Sequence, residues 1–176
     1  MNRARTTLIV AGLVVFVSVS AWLVRGKEHI LESGRKVLLR IEQRDPRSIF
    51  QGDYMWLRYP LAREIEAYLP HDDPPSRGTA ILRLDEDDVA TLSRVLTNAT
   101  SSDEGSKPLD AREQRLRFRV YSDRMITVRF ASQDYFFEEG LGEVFAKARY
   151  AELRVDSVGN ALLVALCDEN LARLGT

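Results

Sequence analysis

The sequence predicts an α+β fold: a mainly antiparallel β domain with one packed helix, preceded by a single N-terminal transmembrane helix. Three observations carry this reading. Residues 6–24 form an apolar run without a charge, short alternating segments recur between Gly, Pro and Asp turns, and residues 141–149 place apolar side chains at helical spacing.

The apolar run TTLIVAGLVVFVSVSAWLV spans roughly 28 Å as a helix, close to the thickness of a bilayer core. A cleaved signal peptide is the rival, because Arg3 and Arg5 make a basic start and Ser18 and Ser20 are small enough for cleavage. The run continues past that point through Trp22, Leu23 and Val24, and Trp22 precedes Arg25 and Lys27 as an interfacial aromatic would. Residues 1–25 are therefore read as an anchor and residues 26–176 as one soluble domain, of a size that supports one core. Basic residues flank the run on both sides, with more on the domain side, and so weakly favour a cytoplasmic domain.

Residues 26–33 extend the helix to Gly34. A strand is expected over 35–43, with Val37, Leu39 and Ile41 on one face, and another over 54–59 after turns at Asp45-Pro46-Arg47-Ser48 and Gly52-Asp53. Residues 61–69 suit one or two helical turns, and 70–78 a proline-rich loop. A strand follows at 79–84, then an acidic turn at 85–88 that lacks the spacing of a calcium loop. Residues 89–96 read as a strand or short helix, and 97–112 as a mobile loop.

The segments 115–121, 125–131 and 133–137 alternate most regularly. Leu116, Phe118 and Val120 oppose Arg115, Arg117 and Arg119, an arginine stripe read as a solvated sheet face in preference to an anion site. The helix at 141–149 would bury Leu141, Val144, Phe145 and Ala148. A hairpin is expected around residues 157–160 and a helical turn at 171–174.

Composition narrows the function. With 25 basic and 26 acidic residues the net charge of −1 gives no field to gather nucleic acid or a strongly anionic substrate. The lone Cys167 can form neither an internal disulfide nor a thiolate cage, and reads as a small buried apolar residue. Histidine clusters and Gly-rich phosphate loops are both missing, so neither metal nor cofactor is expected. Glu138 and Glu139 are adjacent on a strand end, point to opposite faces and make a poor acid/base pair.

The segment Gly52-Asp53-Tyr54-Met55-Trp56-Leu57-Arg58-Tyr59 fits G-D-Y-x-x-L-x-Y and closely follows Asp45-Pro46-Arg47. It resembles the bacterial GDYXXLXY proteins, and the apolar run, the strand at 37–40, Tyr135-Phe136-Phe137-Glu138-Glu139-Gly140 and the final hairpin lie in that family's order. The resemblance implies a single-pass protein of the bacterial inner membrane, with an extracytoplasmic domain and a multi-pass protein as partner. Its motif and candidate partner-facing residues are Asp45, Pro46, Arg47, Gly52, Asp53, Tyr54, Leu57, Tyr59, Tyr135, Glu139 and Gly140, with no catalytic role attached.

Alternation alone gives the motif a structural task, placing Tyr54 opposite Leu57 and Tyr59. A type I signal peptidase is a weaker resemblance: Arg44 and Asp45 stand where its serine would be, and Ser48 has no lysine between Lys36 and Lys107. The expectation is a non-catalytic accessory or recognition domain held in the bilayer by residues 6–24. Binding of an extracytoplasmic peptide or lipid is the alternative, which a deep apolar pocket would favour; a flat patch around Tyr54 and Tyr135 would favour an accessory subunit.

Overall fold

The computed structural model describes residues 3–44, 54–97, 108–122 and 125–175. Helix α1, Arg3–Ser33, carries the apolar run and its extension as one continuous element. Within it Ile9–Ser33 is long and apolar enough to cross a membrane, and none of its most apolar window is buried against the rest of the chain. The helix stops at Gly34, whose N–H still donates to the Ile30 carbonyl at 2.9 Å. A Cβ at Gly34 would lie 2.3 Å from that carbonyl oxygen and 3.1 Å from the Val155 nitrogen, so only glycine fits between helix and sheet.

Strand β1, Arg35–Arg40, starts at the next residue and pairs antiparallel with β9, Tyr150–Val155. On its other edge β9 pairs with β10, Ala161–Cys167, completing a sheet of order β1-β9-β10. The strand expected over 35–43 breaks at Ile41, whose N–H donates to the Arg149 carbonyl; the chain then enters a second sheet as β2, Glu42–Arg44. There β2 pairs with β3, Tyr54–Arg58, and β3 with β8, Asp134–Phe136. The third sheet runs β5-β4-β6-β7, made of β4 Arg77–Leu84, β5 Ala90–Thr97, β6 Glu113–Ser122 and β7 Ile126–Arg129. Every named strand pair is antiparallel.

All three sheets share one core. Val37 and Leu39 from β1, Met55 and Leu57 from β3, Ala80 and Leu82 from β4, Leu116 and Phe118 from β6, and Leu153 from β9 form a continuous buried cluster. Helix α2, Pro60–Ala67, has proline in its first turn, where a missing N–H costs nothing, and buries Leu61 and Ile65 one turn apart. Its Glu66 side chain accepts the Val128 N–H at 2.8 Å, tying α2 to β7.

Some local expectations change. The antiparallel β domain is divided into three sheets. The helix expected over 141–149 is one turn, α3, Gly142–Phe145, because by Arg149 the backbone already donates to Cys167 and accepts from Ile41. Strand β4 begins inside the expected loop and includes Gly78, where a Cβ would strike the Phe118 ring at 2.4 Å. Residues 89–96 resolve to strand. The acidic turn is held by Asp85, whose carboxylate accepts the Asp87 and Val89 N–H groups. Of the expected mobile loop, residues 98–107 lie outside the described residues.

The expected helical turn at 171–174 is also absent. Asp168 accepts the Asn170 and Ala172 N–H groups, competing with helix formation, and Leu171 adopts φ +64°. The chain folds back so that Arg173 bridges to Cys167 and its guanidinium grips Glu152 at 2.7 and 2.6 Å.

Glu152 is buried in the central strand β9, with its carboxyl held below the ordinary range chiefly by the Arg173 hydrogen bonds. Arg173→Ala leaves that carboxylate without its main partner and should cost about 2–3 kcal/mol, below the full penalty because Arg173 is itself partly solvated. A depressed carboxyl pKa contributes stability above its unfolded value and loses it as pH falls. Denaturant unfolding should therefore show the wild-type advantage over Arg173→Ala at pH 7 shrinking once pH drops below 4.5, the group's ordinary value.

Candidate functional site

Strand β3 occupies the middle of the second sheet and carries the tyrosine-rich end of the octapeptide. Alternation sends Met55, Leu57 and Tyr59 into the core, where all three are buried, and leaves Trp56 and Arg58 exposed. Leu57 also anchors backbone, its N–H donating to the Gln133 carbonyl at 2.7 Å. The Tyr59 hydroxyl donates to the Ser132 carbonyl at 2.9 Å, and its ring packs 5.0 Å from that of Phe130. Burial pushes the Tyr59 phenol well above its usual pKa, so it stays a neutral donor. Together Leu57 and Tyr59 clamp the segment that connects β7 to β8.

The opposite face is exposed and aromatic. Register pairs Tyr54 with Phe136 and Trp56 with Asp134, so Trp56 and Phe136 are diagonal neighbours on one face. Trp56 is 41% exposed and Phe136 73% exposed. Glu42 and Arg63 border this face with an ion pair of 2.8 Å.

Comparison with protein families matches residues 16–166 to the GDYXXLXY protein model. The chain belongs to the GDYXXLXY family. Its matched span opens inside α1 and closes inside β10, so the second part of the apolar helix and nearly all of the three sheets fall within the GDYXXLXY region. Neither the curated proteins nor the solved structures contain a match.

The GDYXXLXY residues then divide by place. Leu57 and Tyr59 are core. The backbone of Tyr54 opens β3, while Asp45, Pro46, Arg47, Gly52 and Asp53, together with Ser48, lie outside the described residues. Tyr135 pairs in register with Met55, half-buried on the core side, and packs 5.4 Å from Phe145 with its phenol pushed up by burial. It does not belong to a surface patch.

Glu139 and Gly140 sit apart from β3, in a turn that the Leu141 N–H closes onto the Glu138 carbonyl; Gly140 supplies φ +90°. Cys167 is fully buried with its thiol pKa raised by that burial, matching the apolar reading. Trp56 and Phe136 were not singled out by sequence reasoning. Their signal was present, since both are large aromatics at positions alternating with buried residues.

These placements give two stability expectations, both measurable by urea unfolding. Tyr59→Phe should cost about 1 kcal/mol, the net value of one hydrogen bond, with the core intact. Gly140→Ala meets open space around the added methyl, so its cost of about 1–2 kcal/mol is that of the left-handed backbone alone.

Proposed function

We propose that this GDYXXLXY protein is a single-pass protein of the bacterial inner membrane, anchored by residues 6–24, with an extracytoplasmic, non-catalytic domain that serves as accessory subunit to a multi-pass membrane protein. The observation carrying the reading is the contrast between two apolar surfaces. The α1 window has mean hydropathy 2.0 and nothing of the chain packed on it, which suits lipid. Trp56 and Phe136 stand exposed on a sheet whose other face is core, which suits a protein contact rich in aromatic anchors. The described motif residues Leu57 and Tyr59 have folding tasks, which supports recognition over catalysis.

A deep apolar pocket would have favoured a peptide or lipid ligand. The groove on the third sheet is open and lined by arginines, and an exposed aromatic surface lies at Trp56 and Phe136 instead of the expected Tyr135. The exposed Trp56 and Phe136 support the accessory reading, with Tyr135 on the core side and outside that contact.

The test is mild-detergent co-purification of the full chain from its own membranes, beside Trp56→Ser/Phe136→Ser. A multi-pass protein should accompany the wild type and fall about tenfold or more in the folded variant, the scale expected for loss of two aromatic anchors. Equal recovery with both forms would refute the aromatic face as the contact. Deleting residues 1–25 should release the domain from carbonate-washed membranes, and retention there would count against the anchor.

A further inference from the structure

The outer face of the third sheet concentrates positive charge in a way the net charge conceals. Register places Arg77 opposite Arg119 and Arg119 opposite Arg129, a row of three arginines across β4, β6 and β7. Like charges directly opposite one another destabilise a sheet. One step along, Arg117 lies opposite Thr79 and Arg115 opposite Ile81, so β6 adds two more guanidinium groups to the same face.

Several arginines elsewhere in the domain are neutralised. Arg63, Arg94, Arg112, Arg154 and Arg173 each meet a glutamate, whereas among the described residues none of Arg77, Arg115, Arg117, Arg119 and Arg129 forms an ion pair. Arg129 is held over the Tyr121 ring at 5.1 Å.

The row lies in a groove of about 880 Å³ whose described lining includes all five arginines and no carboxylate. One wall is the β9–β10 turn, docked by the Arg117 N–H on the Gly159 carbonyl at 2.8 Å. Gly159 has φ +100°, and a Cβ there would come within 3.0 Å of the Arg117 Cγ and backbone nitrogen, so glycine is what lets the wall approach. Burial alone would raise the Asp156 carboxyl; hydrogen bonds from Asn160, Gly159 and Val158 outweigh it and hold the carboxylate charged and fixed within this turn.

We propose that this groove binds a phosphate-bearing polyanion, with Arg77, Arg119 and Arg129 as its main contacts. Neighbouring strands are about 4.8 Å apart, so the row spans roughly 10 Å and suits a ligand with two or more anionic groups better than a single carboxylate. Guanidinium forks match phosphate oxygens bidentately, and a water-open groove admits a strongly hydrated ligand. The expectation from net charge, that no strongly anionic ligand is gathered, is overridden locally by segregation of the arginines. The inference is independent of what covers α1 or the aromatic face.

The test is calorimetric titration of the full chain in a neutral detergent with pyrophosphate, and separately with dihexanoyl phosphatidic acid and dihexanoyl phosphatidylcholine. Pyrophosphate should bind saturably and more weakly as salt rises. Arg77→Gln/Arg119→Gln/Arg129→Gln should weaken it at least about tenfold, while Arg83→Gln, exposed on the same sheet outside the groove, should not.

Phosphatidic acid binding without phosphatidylcholine binding identifies a lipid headgroup as the source, and pyrophosphate binding alone a soluble phosphate. Absence of saturable binding to either phosphate probe, or equal affinity in the triple variant, overturns the proposal. Should the triple variant fail to fold, Arg119→Lys decides: it keeps the charge and drops the planar fork, so severalfold weaker pyrophosphate binding supports the site and unchanged binding overturns it.

Discussion

Everything in this domain is positioned by the single residue between its long helix and its first strand. Gly34 still completes a helical hydrogen bond, yet its neighbour Arg35 is already paired with Val155. The close approach of Gly34 to the β9 backbone leaves no room for a side chain, and the Arg154 guanidinium donates to its carbonyl at 3.3 Å. The helix therefore ends at a fixed place on the central strand of the first sheet. From there β1 runs six residues, bends at Ile41 and becomes β2, so the sheet bearing the family motif is placed by the same joint.

Much of this was legible because burial imposes a period of two. Val37, Leu39 and Ile41, then Leu57 and Tyr59, then Leu116 and Phe118 all alternate in sequence and are all buried in the structure. The final hairpin was legible from its turn residues. Less visible was Leu38, buried on the opposite face of β1, where its N–H meets the Asp88 carbonyl. A strand covered on both faces loses its alternating signature, and sequence spacing alone cannot reveal that a distant turn will cover it.

The failures share a cause as well. Residues 141–149 have helical spacing, but the ladder bonds of Arg149 claim the backbone first. Residues 171–174 look helical until Asp168 captures two N–H groups. In both places a hydrogen-bond partner supplied by tertiary structure or by a local carboxylate outcompetes a weak propensity. The candidate surfaces follow the same logic. An arginine stripe on β6 is readable, whereas its extension through Arg77 and Arg129 exists only once register is known. Likewise Trp56 and Phe136 are eighty positions apart in the chain and become neighbours only through β3–β8 pairing.

The β1–β9 ladder has a consequence for how the chain is made. Its two strands are separated by more than a hundred residues, so β1 leaves the ribosome long before its partner exists. At about 5–20 residues per second, that interval lasts on the order of ten seconds. Throughout it the apolar helix is complete while the sheet joined to it has no central strand. The first sheet therefore stays open until β9 arrives, whereas every strand of the second and third sheets is made before it. Closure of the first sheet is thus the last long-range step of assembly, and it joins the start of the domain to its end.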